Sequence, residues 1–114
     1  SDMAEALATA VDARDAQGET ALIRAAEAGD TARVRELLAE GASATAASNS
    51  GWTALHGAAE CGSAEVVGVL LAAGGDVSAR AASGKTPLDI ARQYERPEAA
   101  ARLAELGAAA NVSG

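Results

Sequence analysis

The chain has no phenylalanine, one tryptophan and one tyrosine, so aromatic residues make up only 2% of its 114 positions. Hydrophobic residues reach 49%, but most of them are alanine. A core assembled from such small side chains has to be thin and closely packed, which suits stacked short helices better than a thick globule. The single cysteine excludes an internal disulfide and fits a reducing compartment. With only one histidine beside it, the ligand set of a Cys/His zinc site is missing as well. Cations are scarce: nine Lys and Arg against 16 Asp and Glu leave a net charge of -7. That balance opposes binding to nucleic acid, where clustered cations must neutralise phosphates. No apolar run comes near the roughly 20 residues needed to cross a bilayer, and the first residues lack the profile of a signal peptide. The expectation is one soluble domain without membrane association, in the cytoplasm, with the nucleus also compatible.

What the sequence does contain is a repeat. "GETALIRAA" begins at Gly18, "GWTALHGAA" at Gly51 and "GKTPLDIAR" at Gly84, so equivalent positions recur every 33 residues. Self-similarity at this period marks units that cannot bury their own apolar faces and become stable by stacking. Thr20, Thr53 and Thr86 stand where a side-chain oxygen caps a first helix, and Pro87 takes a first-turn position that needs no N–H. Gly29 and Gly62 supply the left-handed residue that ends this helix, after which Asp30 and Ser63 cap a second one at once. In the middle unit Val66, Val67, Val69, Leu70 and Leu71 form the apolar stripe of the second helix. Gly41, Gly74 and Gly107 are expected to terminate the second helices. In the third unit Glu95-Arg96-Pro97 replaces the glycine turn, which predicts an irregular turn with Pro97 opening the helix that follows. Arg33 and Glu36 in the first unit, and Arg102 and Ala104 in the third, interrupt the stripe and read as water-tolerant ends of a stack.

The T-P-L-H-x-A core at this period resembles the ankyrin repeat. The middle unit carries the resemblance furthest, through Gly51, Thr53, Leu55, His56, Ala58, Ala59, Gly62, Leu70, Leu71, Gly74 and Asp76. The resemblance implies an all-α solenoid of stacked helix-turn-helix units with short β-hairpin-like loops, and repeats at 15–47, 48–80 and 81–113. Residues 1–14 are left as an N-terminal stub or partial capping segment, with 1–3 read as a cloning remnant. A fragment of a larger ankyrin-containing protein is an alternative expectation for the whole.

Catalytic, cofactor-binding and metal-ligating residues are not expected, and neither is a cofactor. His56 and Cys61 lie five positions apart, about 140° around a helix, so their side chains diverge and no acid or second base joins them. The glycines follow the repeat and not the spacing of a phosphate-binding loop. For His56 the resemblance implies a structural role, with hydrogen bonds around the helix start that steady the hairpin.

The function that the resemblance implies is a protein-protein interaction module, with the partner on a concave face made of hairpin tips and inner-helix ends. Glu19, Asn49, Trp52, Arg80 and Lys85 belong to the tips; Glu27, Glu60, Gln93 and Tyr94 belong to the inner helices. The first part of that face is acidic and its last part basic and aromatic. Solvated charge is the plain alternative for the ionic members. Trp52 sits at a position that the resemblance implies is exposed, and is either an anchor for a partner or a local cover lying over neighbouring hairpins. An inhibitor or regulatory subunit of an enzyme such as a kinase is the other functional expectation. A monomer is expected.

Overall fold

The computed structural model describes residues 13–111, and the side chains of residues 13–105. The expected stub and the remnant at 1–3 lie outside the described residues but for residues 13 and 14. Three helix pairs follow one another: α1 (Ala21–Ala28) with α2 (Thr31–Ala39), α3 (Ala54–Cys61) with α4 (Ala64–Ala72), and α5 (Pro87–Gln93) with α6 (Pro97–Asn111). The inner helices α1, α3 and α5 stack on one another, the outer helices α2, α4 and α6 do the same, and each outer helix packs on its own inner one. Among the described residues the only strand-like pairing is one antiparallel bridge between Ala47 and Thr53.

The sequence period is written into the backbone. The N–H groups of Asp15, Ser48 and Ala81 donate to the carbonyls of Glu19, Trp52 and Lys85 at 3.0, 2.9 and 2.9 Å, closing one hairpin per unit. Successive hairpins are then joined, as the Asn49 N–H donates to the Gln17 carbonyl at 2.9 Å and the Ala82 N–H to that of Ser50. Gly18 tolerates no side chain here: its φ is +78°, and a Cβ would stand 2.9 Å from the Asn49 backbone nitrogen.

Each inner helix starts as its residues dictate. The Thr20, Thr53 and Thr86 hydroxyls accept from the N–H groups of Ile23, His56 and Asp89. Asp30 and Ser63 cap α2 and α4 in the same way. The core is a thin layer of Leu22, Ile23, Val34, Leu37, Leu55, Val66, Val67, Leu70, Ile90 and Leu103, all buried, with Ala26, Ala58, Ala59, Ala91 and Ala99 allowing close approach. Val69 and Leu71 are only half-buried at its margin. At the ends of the stack, Arg33 pairs with Glu36 on the exposed side of α2, and Arg102 lays its guanidinium over Gly68 of α4.

Two expectations are corrected. The α5–α6 turn is regular: Glu95 takes a left-handed φ of 54° where the other units have Gly29 and Gly62. The Arg96 N–H reaches the Ala91 carbonyl at 2.8 Å, as Asp30 reaches Ala25 at 3.0 Å and Ser63 reaches Ala58 at 3.2 Å. The Arg96 side chain secures this turn by donating from Nε to the Glu60 carbonyl at 2.9 Å, one unit back. Stacking thus imposes a glycine conformation on a glutamate. Left-handed backbone costs a non-glycine residue about 1–2 kcal/mol, and the greater freedom of glycine in the unfolded chain offsets part of that. Glu95→Gly is therefore expected to stabilise the protein by about 0.5 kcal/mol, raising Tm by about 2 °C. An unchanged or lower melting temperature would show that the turn carries no such strain.

Gly107, expected to end the last outer helix, lies inside α6, which runs on to Asn111. After Gly41 and Gly74 the chain folds back, with the Ala42 and Gly75 N–H groups on the Leu37 and Leu70 carbonyls at 3.0 and 2.8 Å. After Gly107 come three alanines, the best helix formers, and the helix continues.

Candidate functional site

His56 is fully buried at the first turn of α3. Its Nδ1 accepts from the Thr53 N–H at 3.1 Å and lies 2.8 Å from the Thr53 hydroxyl, while Nε2 lies 2.8 Å from the Lys85 carbonyl. An accepting Nδ1 leaves the proton on Nε2, so the neutral ring donates to the next hairpin. Burial pushes its pKa below the ordinary range, and the Lys85 carbonyl opposes this only in part. Cys61 points elsewhere, with its thiol 3.4 Å from the carbonyls of Ala26 and Ala58. Histidine and cysteine therefore build two different contacts and share no site. Among the described residues, no group of three or more His, Cys, Asp or Glu could hold a metal ion.

Two rows of side chains run along the face made by hairpin tips and inner helices. Glu19, Trp52 and Lys85 repeat at 33-residue intervals on the tips, and Glu27, Glu60 and Gln93 repeat at the same interval along α1, α3 and just at the end of α5. The repeat thereby brings six of the nine expected site residues into one array. Lys85 Nζ donates to Gln93 Oε1, tying the two rows in the last unit. In the first unit the two rows meet at Glu27, which feels Glu19. Glu27 is half-buried, and its pKa is pushed up to about 7: loss of hydration is the largest cause, followed by the charge of Glu19, a hydrogen bond shared with the Glu19 carboxyl, and the charge of Glu60. At this pKa the Glu27 carboxyl carries a proton about half the time at neutral pH.

Trp52 is half-buried, not fully exposed. Its ring packs 5.1 Å from the His56 ring at a tilt of 31°. The indole Nε1 is buried and interacts with the Glu27 carboxyl, whose pKa it draws down. Tyr94 caps the end of α5 and is 43% exposed, the one large hydrophobic side chain so presented among the described residues. The remaining two expected residues serve the hairpins. Asn49 donates from Nδ2 to the Ala16 carbonyl at 3.3 Å. Arg80 donates from Nη1 to the Gly84 carbonyl at 3.0 Å, as Arg14 does to Gly18 at 3.0 Å.

One contributor was missed in the sequence. Gly57 lets α3 approach α1 so closely that a Cβ there would stand 2.7 Å from Glu27 Cγ and 3.1 Å from the Glu27 nitrogen. Its signal was available, since the equivalent positions are Arg24 and Ile90, so this glycine is no part of the repeat.

Residues 1–81 match the family model of ankyrin repeats in three copies. No curated protein matches the chain. The chain belongs to the ankyrin-repeat family, and the helix-turn-helix solenoid is the architecture of that family. Ankyrin repeats are in general protein-protein interaction modules and typically non-catalytic. Among the described residues, no helix is long and apolar enough to cross a membrane.

Proposed function

We propose that this chain binds a protein partner along the face that carries the Glu19–Trp52–Lys85 and Glu27–Glu60–Gln93 rows. The observation that supports this reading is the contrast between positions. Those that build the fold keep one residue type from unit to unit, as Thr20, Thr53 and Thr86 do. The tip row instead changes from acid to aromatic to base while remaining in register. Stacking does not require that variation; recognition of a partner with its own sequence of groups does. Trp52 and Tyr94 supply large contact surfaces of the kind that dominate interfaces.

The test begins with capture of partners from the source cell by the full chain and their identification by mass spectrometry. Affinity for a captured partner is then compared among Trp52→Ala, Lys85→Ala and Glu65→Lys, the last on the exposed side of α4. Weaker binding by Trp52→Ala and Lys85→Ala, with Glu65→Lys unaffected, is the expected outcome. Unchanged binding by the first two removes the assignment of this surface.

A further inference from the structure

We infer that the last part of this face, around the third hairpin tip, docks an acidic segment of the partner protein, whose carboxylates meet Arg80 and Lys85. The inference rests on the binding face proposed above and adds the chemistry of the segment that it takes. Both cations are fixed in place by neutral groups. Arg80 is exposed and donates from Nη1 to the Gly84 carbonyl at 3.0 Å. Lys85, which follows Gly84, donates from Nζ to Gln93 Oε1. Such contacts hold a side chain without cancelling its charge. Among the described residues the ion pairs are Arg24 with Asp15 and Arg33 with Glu36. Neither Arg80 nor Lys85 is in one, although the chain carries 16 Asp and Glu.

The first hairpin tip provides the contrast. Arg14 stands two repeat periods before Arg80 and makes the same hydrogen bond, from Nη1 to the Gly18 carbonyl at 3.0 Å. Pinning a hairpin therefore accounts for an arginine at either place, but not for its surroundings. Arg14 lines a surface hollow with Asp15 and Glu19, and the equivalent positions in the third unit hold Ala81 and Lys85. Both acids of the first tip are thus replaced at the last, one of them by a second cation. The Asp89 carboxylate is committed to the start of α5. It accepts from the Thr86 N–H at 3.1 Å, and the hydrogen bonds with Thr86 are the main reason that its pKa is lowered, the charges of Arg80 and Arg92 being the smallest causes. The balance of Arg80 and Lys85 against Asp89 stays positive. A nucleic-acid strand, charged at every residue, would run on from this tip toward Glu60, Glu27 and Glu19, which oppose it. An acidic stretch of protein ends where the cations end, and complementary charge then fixes its register on the face.

The full chain is titrated, in nitrogen-correlated NMR spectra, with an alternating glutamate–alanine hexapeptide, an arginine–alanine hexapeptide and a short single-stranded DNA. The expected result is that backbone signals of the third hairpin and the end of α5 move with the glutamate peptide only, and less as salt is raised. Lys85→Glu gives the third tip the charge that Glu19 gives the first, and is expected to weaken binding about tenfold by exchanging an attraction for a repulsion. Lys85→Gln, which removes the charge alone, should weaken it about threefold. The fold of each variant is checked by its own spectrum. No binding of the glutamate peptide, or equal affinity in Lys85→Glu, overturns the inference. Binding of the DNA at this tip as tightly as the peptide overturns it too, because the patch would then read a phosphate backbone. If the arginine peptide perturbs the inner face instead, the partner chemistry is wrong and the binding face stands. If the signals that move fall on the outer helices, the binding face falls as well.

Discussion

Replacing His56 by alanine is expected to cost about 3 kcal/mol of folding stability at pH 7, read from urea denaturation. The ring is fully buried and serves two hairpins at once, since it accepts from the Thr53 N–H and donates to the Lys85 carbonyl. Truncation leaves both of these groups without their partner, and each buried unsatisfied group costs about 1–3 kcal/mol. It also opens a void beneath the Trp52 ring. Against the roughly 5–15 kcal/mol that hold a typical domain together, this is a large fraction. Its pH dependence gives a second signature. Burial lowers the folded-state pKa of His56 from the ordinary 6.5, so the unfolded chain takes up the proton first. The contribution of the neutral ring is thus complete above pH 6.5 and is lost as pH falls toward the lowered value. The gap between wild type and His56→Ala should narrow accordingly on acidification. A cost below about 1 kcal/mol at pH 7 would mean that the hairpins hold without this side chain.

The fold was legible because one-dimensional stacking repeats the same local demands. Thr20, Thr53 and Thr86 cap a helix in each unit for the same reason, and the left-handed glycines fall at the same register, so the sequence period and the backbone period coincide. Legibility failed where a neighbour overrides local preference. Glu95 has no intrinsic taste for a left-handed backbone, yet the stacked helices and the Arg96–Glu60 contact fix the turn around it. Gly107 failed in the opposite sense, because a stop signal works only if the chain beyond it has a reason to fold back.

The residues of the inner face could be enumerated from the register but not weighed. Position in the repeat said that Glu27, Glu60 and Trp52 share a face. It did not say that Gly57 would bring α1 close enough for Glu27 to lose water, nor that the indole would lean on His56 and act on the Glu27 carboxyl. Those consequences depend on separations of a few ångströms between units 33 residues apart, which composition and spacing do not encode.

Glu27 offers the clearest pH test of that crowding. Its pKa rises from the ordinary 4.5 to about 7 in the folded protein. Between these values the folded state holds a proton that the unfolded chain has released, so stability falls as pH climbs through the window and levels off above about 7. A full shift would be worth about 1.4 kcal/mol per unit. The carboxyl keeps much of its access to water, and screening reduces the expected loss to about 1 kcal/mol in all. Glutamine at this position has no charge to release, can donate to Glu19, and presents an oxygen to Trp52 Nε1. Glu27→Gln should therefore match wild type near pH 5, exceed it by about 1 kcal/mol at pH 8, and melt about 4 °C higher there. The comparison isolates Glu27 because His56, whose own titration weakens the protein on the acid side, is present in both chains. If the two stability curves run parallel from pH 5 to 8, Glu27 is not held protonated by its neighbours, and the crowding of the three carboxyl groups has no energetic consequence.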